Sequence, residues 1–469
     1  MNIRYRNARS SKATGIVAVV ALCVSLVILL SSVSFVRHAS AQQTGGNTGT
    51  GAQTASGAQG TFLIRNARIV PVSGPDIENG SVLIRNGRIE AVGAGSINAP
   101  AGAQEIDASG LFVYPGMMDA GTNMGLVEID SVNATIDRAE VGDMNPNAQA
   151  IVAVNPHSAH IGVTRFNGIT SAVTMPQGGI ISGQAAVINL NGTTPREMAL
   201  TPSAALVIDF PRVAAGGGFA AAQQQQSNIN EAVTARDRRV EELRKMLRDA
   251  EAYGRAHDAY TRDPRSLPRP DSDIVLASLL PFVRGERPVI FRAARERDIR
   301  AAVRFAEEMK LKPIILGGND AWRAAAFLKE RNVPVILTGV LDLPLREDDA
   351  YDVHYENAAR LQQAGVRFCI STGNSGAEVR DLPYHAGMSA AFGLPRAEAL
   401  KAVTLYPAQI MNVADRVGSI EAGKLANLVV ADGDILDART NIRYLFIEGR
   451  QIPLTSRHTQ LYEQFKDRR

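Results

Sequence analysis

Short apolar segments recur along this chain, and many of them alternate with amphipathic helical segments. Seven lie between residues 171 and 372, with the sequences SAVTM, AAVINL, ALVIDF, PVIFRA, KPIILGG, PVILTG and RFCIST. Helical patterns such as ERDIRAAVRFAEEMK follow several of them. Because strands that are apolar throughout are buried on both faces, the alternation indicates an α/β fold with a mainly parallel sheet. We predict a closed (β/α)8 barrel of the TIM type over residues 113–412.

Alternating β patterns flank the predicted barrel on both sides. The segments TFLIRNARIVPV and GSVLIRNGRIEAVG precede it, and Asn86–Gly87 is placed as a two-residue hairpin turn. The segments GSIEAGKLANLVVADGD and NIRYLFIEGRQIPL follow it. We therefore predict a small β-sandwich domain that is assembled from residues 61–112 and 413–455. A chain of 469 residues is long enough for a barrel and such a domain.

A polar insertion interrupts the barrel pattern at about residues 214–270. It begins with the low-complexity stretch AAGGGFAAAQQQQSN and continues as a highly charged helical pattern. Val233, Val240, Leu243 and Leu247 recur there at helical spacing, so one face of the helix is expected to pack. We expect an insertion helix that rests on the barrel. A lid or a surface for a partner is the alternative.

The first 41 residues have the features of an export signal. A basic start, MNIRYRNARSSK, precedes the apolar run GIVAVVALCVSLVILLSSVSF, and Ala39-Ser40-Ala41 fits the small-x-small rule for cleavage before Gln42. The apolar run is long for a signal peptide, so an uncleaved membrane anchor is the alternative. Either form predicts a periplasmic or other extracytoplasmic location for the folded part. Residues 42–60 are rich in Gly, Thr, Ser, Ala and Gln and read as a flexible linker.

Charge and cysteine content argue against two classes of protein. The export segment carries five basic residues and no acidic one, and without them the formal net charge falls from +3 to −2. A nearly neutral chain has no electrostatic basis for binding nucleic acid. Beyond the export segment Cys369 is the only cysteine, which leaves neither an internal disulfide nor a cysteine cluster for structural zinc.

Four segments resemble motifs of the amidohydrolase superfamily. GLFVYPGMMDAGTNMG resembles the first barrel strand, where a Pro-Gly and an Asp lead into a His-x-His pair. GITSAVTMPQGGIISGQAAVINLNG is similar to the next section of imidazolonepropionase-like members, and VLIRNGRIEAVG is similar to their opening β-sandwich. The closing helix and strand of the family resemble GLPRAEALKAVTLYPAQIMNVADRVGSIEAGKLANLVVADGD. The resemblance covers about residues 61–453 and implies hydrolysis of C–N bonds, other than peptide bonds, in amides or cyclic amides.

The resemblance also implies a metal site, but this chain has unusual residues at the ligand positions. Family members hold one or two divalent metals, commonly zinc, and the metal lowers the pKa of the attacking water to about 7. The His-x-His pair of the family falls on Gly121 and Asn123. Its histidines on strands five and six fall on Arg292 and Gly317, and its aspartate on strand eight falls on Gly373. None of these is a good zinc ligand, so we expect no metal and no other cofactor, and C–N hydrolysis that is altered or lost.

Arg292 allows two interpretations. Its guanidinium stays protonated at neutral pH and would supply fixed positive charge for a carboxylate or phosphate on a ligand. Alternatively, it pairs with a neighbouring Asp or Glu and fills the space, as buried arginines usually do.

The loop after the eighth predicted strand offers two weak candidates for catalysis. His385 is expected to border the barrel mouth, where it could act as a general acid or base together with Glu378. A structural histidine at the start of a helix is the alternative. Elsewhere, Glu128 follows the first strand and either faces the pocket or is solvated at the surface. Gln177 and Gln184 bracket the glycine-rich PQGGIISGQ, which we expect at the pocket rim. The predicted ligand pocket comprises Gly121, Asn123, Glu128, Gln177, Gln184, Arg292, Gly317, Asn319, Gly373 and Asn374.

Three functions are consistent with the sequence. The first is active hydrolysis of C–N bonds. The second is that of a relative without metal that binds a small amide, a peptide-like molecule or an anion. The third function is that of a non-catalytic partner of an active paralogue. The replaced metal ligands favour the second function. A homodimer is expected only because members of the resembling family often form one.

Export and cleavage are testable on the full-length protein. Because Ala39-Ser40-Ala41 presents small residues to signal peptidase, we expect periplasmic protein whose first residue is Gln42. N-terminal sequencing and intact mass would check this, and Ala39→Arg together with Ala41→Arg should block the cleavage. A chain that keeps residues 1–41 and fractionates with membranes would instead indicate the anchor.

Overall fold

The computed structural model of the chain describes residues 58–213, 229–373 and 375–468. The predicted export segment, residues 42–57 of the predicted linker and residues 214–228 of the predicted insertion lie outside these ranges. In the described ranges, no helix has the length and apolar character needed to cross a membrane.

Strands and helices alternate through most of the described residues. The strands are β1 (Ala58–Gln59), β2 (Phe62–Ile69), β3 (Ile77–Arg85), β4 (Arg88–Ala94), β5 (Gln104–Asp107), β6 (Phe112–Pro115), β7 (Met117–Thr122), β8 (Ile169–Thr174), β9 (Ile181–Asn189), β10 (Ala199–Asp209), β11 (Val289–Ala293), β12 (Pro313–Gly317), β13 (Val335–Leu337), β14 (Phe368–Ile370), β15 (Leu428–Ala431), β16 (Ile442–Ile447) and β17 (Arg450–Ile452). The helices are α1 (Ala150–Ala153), α2 (Ala159–Arg165), α3 (Pro195–Met198), α4 (Ile229–Arg262), α5 (Ile274–Val283), α6 (Glu296–Glu308), α7 (Ala325–Glu330), α8 (Val353–Gln363), α9 (Leu382–Ala391), α10 (Arg396–Ala402), α11 (Leu405–Ile410) and α12 (Arg457–Phe465). The predicted α/β class is confirmed.

An eight-stranded sheet, from β7 to β14 in chain order, forms a nearly closed barrel. One strand contradicts the prediction of a regular (β/α)8 arrangement: β9 runs antiparallel to both β8 and β10, whereas the other pairs are parallel. The connection from β8 to β9, residues 175–180, is too short for the crossover that a parallel pair needs. The segment AAVINL, predicted to be parallel, is therefore the middle strand of an antiparallel meander.

Apolar side chains fill the barrel interior, and a second apolar layer lies outside it. Val187, Val207 and Ile314 belong to the interior cluster. The outer layer is formed by amphipathic helices such as α6, which buries Ile299, Val303 and Phe305. Helix α4 buries the predicted face, including Leu243 and Leu247, so the expected packing of the insertion helix is confirmed.

One buried carboxylate joins the two ends of the barrel sheet. In the part of the chain that the structure describes, the strand ladder ends at β7 and β14 without pairing them. Asp119 of β7 is fully buried and accepts hydrogen bonds from the amides of Gly121 and Thr372, both at 3.0 Å. The hydroxyls of Ser371 and Thr372, directly after β14, also donate to it. Burial raises the pKa of Asp119, and the donated hydrogen bonds oppose that shift.

The second sheet has nine strands and draws on both ends of the described chain. Its order is β1-β17-β16-β15-β6-β2-β3-β4, and β5 pairs with β2. Asn86 and Gly87, with φ of 53° and 79°, form the predicted turn between β3 and β4. Phe62 is on β2 and Phe446 is on β16, and two strands lie between them in the sheet. Their ring centroids are nevertheless 5.1 Å apart, which shows that the sheet curls. A separate sandwich domain stays a prediction, since residues 52–469 group as a single unit.

Removal of the Asp119 carboxylate should weaken the barrel. We expect Asp119→Ala to lower the free energy of unfolding by about 3 kcal/mol, because the buried donors of Ser371 and Thr372 lose their acceptor. Urea denaturation would measure the change. Asp130→Ala is the control: Asp130 is exposed and pairs with Arg138 at 3.2 Å, so a loss below about 0.5 kcal/mol is expected. Equal losses in the two variants would contradict the assigned role of Asp119.

Candidate functional site

A cavity of about 520 Å³ opens where β10, β11, β12 and β13 end. Asp209 is the last residue of β10, Arg292 lies near the end of β11, and Thr338 directly follows β13. The carboxyl ends of parallel strands meet at one edge of a sheet, so these side chains converge. The lining consists of Asp209, Phe210, Arg212, Val213, Arg292, Ala293, Ala294, Arg295, Asp298, Leu316, Gly317, Asn319, Thr338 and Leu345.

Arg292 and Asp209 lie side by side in this cavity. They are register partners in the parallel pair of β10 and β11. Arg292 donates from Nη2 to the carbonyl oxygen of Pro176 at 3.0 Å. Burial lowers the pKa of Arg292, and the carboxylate of Asp209 opposes that shift, so the guanidinium keeps its charge at neutral pH. An acidic neighbour is present and the side chain lines a cavity, so both interpretations of Arg292 stay open.

The cavity carries charges of both signs. Arg212 and Arg295 add two exposed guanidiniums, and Asp298, close to the start of α6, adds a second carboxylate. Asn319 and Thr338 contribute neutral hydrogen-bonding groups. Three cations against two anions favour a small ligand that bears a carboxylate together with a donor group such as an amide N–H or an ammonium.

Three of the predicted pocket residues line the cavity, namely Arg292, Gly317 and Asn319. Gly121 is buried within β7, and Gly373 is buried after β14. Asn123 is 4% exposed, and its Oδ1 accepts from the amide of Gly376 at 2.6 Å. Asn374 lies outside the described residues. The structure therefore groups the predicted residues of β11 and β12 and separates them from those near β7 and β14.

Glu128, Gln177 and Gln184 do not line this cavity. The chain after β7 turns towards α2, where a carboxylate oxygen of Glu128 accepts from the amide of Ala159 at 3.2 Å. Gln184 is a buried residue of β9 and donates to the carbonyl oxygen of Pro146 at 2.8 Å. Gln177 binds through its backbone amide to the carbonyl oxygen of Arg138. Glu128 thus bonds to the start of α2, whereas Gln177 and Gln184 bond to loop carbonyl oxygens.

His385 and Glu378 also lie away from this cavity. His385 is the fourth residue of α9 and is 6% exposed, which agrees with the alternative of a structural histidine at the start of a helix. Burial lowers its pKa to about 4, which keeps the ring neutral at pH 7. Glu378 is exposed, and partial desolvation together with Asp342 and Asp381 raises its pKa. Neither side chain lines the cavity.

The sequence reasoning missed Asp209, Arg212, Arg295, Asp298 and Thr338. A signal existed for the first of these, because Asp209 closes the buried strand ALVIDF, and the last residue of a barrel strand borders the mouth. The remaining four lie on loops or early helix positions. Strand periodicity does not fix the direction in which such side chains point.

The comparisons with known proteins point to one superfamily. The model of the amidohydrolase family matches residues 285–452. An adenine deaminase of Listeria monocytogenes serotype 4b is 33% identical over 101 residues, which is 21% of this chain and 16% of that protein. The amidohydrolase tasK of Hapsidospora irregularis is 24% identical over 430 residues, 82% of this chain and 42% of that protein. A solved amidohydrolase from Thermotoga maritima MSB8 superposes with a TM-score of 0.74 at 24% identity, covering 84% of this chain and 99% of that one.

Residues 285–452 are therefore similar to the amidohydrolase family. The resemblance inferred from the four motifs is thus confirmed, and the structural likeness supports the TIM-type barrel. The chain spans less than half of the length of the curated relatives it matches.

The two superfamily ligand positions on the first barrel strand do not suit a metal. A Cβ on Gly121 would lie 2.8 Å from Cδ1 of Leu316 and 3.2 Å from Oγ of Ser371. A side chain at Gly121 would therefore require Leu316 to move. Asn123 offers only an amide oxygen, which already accepts a hydrogen bond. Within the described ranges, no group of three or more His, Cys, Asp or Glu side chains is arranged for a metal ion.

The positions on strands six and eight are restricted by their backbone. Gly317 and Gly373 have φ of 109° and 101°, a region that side-chain-bearing residues rarely adopt. A Cβ on Gly317 would also lie 3.1 Å from the carbonyl oxygen of Ala293. With Arg292 as a cation at the strand-five position, the residues present do not fit a divalent metal.

The introduction of one metal-binding histidine should therefore fail to create a zinc site, for a structural reason. We expect Gly317→His to lower the free energy of unfolding by about 3 kcal/mol without adding a zinc site, because backbone strain and the contact with Ala293 act together. Gly423→His is the matched control: its φ is also positive, at 92°, but nothing lies within 4 Å of a Cβ there, and about 1 kcal/mol is expected. Thermal and urea denaturation with zinc titration would measure both effects. A stable Gly317→His protein that binds zinc would contradict this account.

Proposed function

We propose that this exported amidohydrolase-superfamily protein binds a small anionic or zwitterionic ligand, amide-like or peptide-like, at the barrel mouth. In this proposal the hydrolysis of C–N bonds by a metal-activated water is altered or lost. The observation that carries the proposal is Arg292, a guanidinium that lines the cavity at a position where the superfamily has a metal-binding histidine.

Fixed positive charge supports recognition of a carboxylate. The carbonyl oxygen of Pro176 accepts a hydrogen bond from Arg292, which orients the planar donors of the guanidinium. A charge-assisted hydrogen bond in a partly desolvated cavity is stronger than a neutral one. The more exposed Arg212 and Arg295 add positive charge around the opening. These three side chains would bind the anionic end of the ligand.

The carboxylates of the same cavity support recognition of a donor group. Asp209 lies next to Arg292 across the strand pair, so a ligand that places its carboxylate on Arg292 brings its amide N–H or ammonium towards Asp209. Asn319 and Thr338 can form hydrogen bonds with the part of the ligand between its carboxylate and its donor group. A cavity of about 520 Å³ lies within the size range of small-molecule sites.

The donor set supports a site without metal. The family positions offer glycines, an amide and a guanidinium, and a guanidinium repels a divalent cation. The residues present therefore provide binding and orientation of a ligand, and no step through a metal-bound water is assigned to them. A non-catalytic partner of an active paralogue is the alternative. Co-purification with a second barrel protein would identify it.

Metal content would test the first half of the proposal. We expect the purified mature protein, after dialysis, to retain far less than one zinc or manganese per chain by inductively coupled plasma mass spectrometry, because among the described residues no set of imidazoles and carboxylates encloses an ion. About one metal per chain, with amide hydrolysis that disappears on chelation, would contradict it.

Ligand binding would test the second half. We expect N-acetylglycine to bind the wild type and Arg292→Met to weaken it about ten-fold or more, because one charge-assisted hydrogen bond is lost. The neutral N-acetylglycinamide should be affected much less. Arg269→Met is the control, since Arg269 is an exposed arginine outside the cavity. Calorimetric titration would measure the affinities, and equal binding of N-acetylglycine to wild type and Arg292→Met would contradict the assigned carboxylate site.

A further inference from the structure

A second cavity of about 650 Å³ lies at the other end of β7, where the curled sheet meets α10. Its walls come from β2, from the loop between β2 and β3, from β6, from α10 and from the loop after β15. A single residue separates β6 from β7, so this cleft borders the amino end of β7. The carboxyl end of β7 faces the mouth. None of its residues was assigned to the mouth site.

An aromatic surface forms part of the cleft. Phe112 and Tyr114 alternate along β6 and so share one face of the sheet, with ring centroids 5.9 Å apart and ring planes 11° apart. Leu400 and Leu436 line the cleft as apolar neighbours. The guanidinium of Arg68 lies over the ring of Phe112, 5.6 Å from its centroid. Flat apolar rings framed by polar groups are typical of small-molecule sites.

The Tyr114 hydroxyl gives the cleft an unused hydrogen-bonding group. Tyr114 is 4% exposed and lines the cleft, yet among the described residues none forms a hydrogen bond with its hydroxyl. Burial, together with the nearby carboxylates of Asp434 and Asp76, raises the pKa of Tyr114, so the hydroxyl stays a donor at neutral pH.

The charged side chains of the cleft are already paired. Arg68 pairs with Asp76 at 2.8 Å, Arg396 pairs with Asp434, and Lys401 pairs with Glu398 at 2.9 Å. Such pairs leave little net field to attract a charged ligand, so the aromatic rings and the Tyr114 hydroxyl are the groups left for recognition. Val72, on the cleft wall, has a φ of 58°, which is rare for a β-branched residue. Strained residues of this kind cluster at ligand sites.

We propose that the cleft between β6 and α10 is a second binding site, which takes a neutral aromatic ligand that carries a carbonyl group. The ligand ring lies against Phe112 and Tyr114, and the carbonyl oxygen accepts a hydrogen bond from the Tyr114 hydroxyl. The site is separate from the mouth cavity and does not depend on the function proposed there.

Ligand-observed NMR and calorimetric titration with 2-naphthamide would test this site on the full mature chain. We expect saturable binding to the wild type and a loss of about five-fold in affinity in Tyr114→Phe, which keeps the ring and removes one neutral hydrogen bond. Phe112→Leu should weaken binding as well, since it removes one aromatic face. Tyr355→Phe, on α8, is the matched control and should bind like the wild type.

The ligand chemistry and the location each have a separate readout. Cyclohexanecarboxamide, which has the carbonyl but no aromatic ring, should bind at least five-fold more weakly than 2-naphthamide. Arg292→Met, at the mouth, should leave the affinity for 2-naphthamide unchanged. The proposal is overturned if 2-naphthamide does not bind, if Tyr114→Phe binds it as tightly as the wild type, or if Arg292→Met abolishes binding.

Discussion

The carboxylate of Asp119 holds together the first and last strands of the barrel sheet. Because no strand ladder joins β7 to β14 in the described residues, the hydrogen bonds that Ser371 and Thr372 donate to Asp119 replace it. The same network includes two of the superfamily's ligand positions. The Gly121 amide donates to Asp119, and the Gly373 amide donates to Oγ of Ser371 at 3.3 Å. Both glycines therefore serve the closure of the barrel through their backbones.

This closure determines where a ligand can bind. Beside Gly121, the barrel centre is filled by Leu316 and Ile336, whose methyl groups would lie 2.8 and 3.7 Å from a Cβ on that glycine. The cavity is displaced towards β10 to β13, where Arg292 and Asp209 provide opposite charges on neighbouring strands. A cation that is covalently part of the chain cannot activate a water as a metal does, but it can orient a carboxylate. The proposal of recognition without metal-dependent hydrolysis rests on this geometry.

Much of the fold was predictable because burial leaves a direct mark on the sequence. The apolar runs predicted the barrel strands, and Asn86–Gly87 predicted its hairpin turn. The direction of β9 was not given by its composition, which is as apolar as that of its neighbours; only the short connection before it excludes a parallel crossover. The site was harder. Arg292 could be placed by family resemblance, but Glu128 and His385 follow strands whose onward paths, into a loop and a helix, leave no periodic pattern to read.

The segment from Phe112 to Thr122 relates the two cavities. It carries the aromatic surface of the cleft on β6, then Asp119 within β7, and it ends beside the mouth. Met118 of this segment belongs to the same buried interior cluster as Cys369 of β14, and close-packed interiors respond to strain in discrete rearrangements. A ligand in the cleft would influence the mouth only by shifting β7, and such a shift would have to break hydrogen bonds to Asp119. As long as that carboxylate keeps its donors, we expect the two proposed sites to act independently.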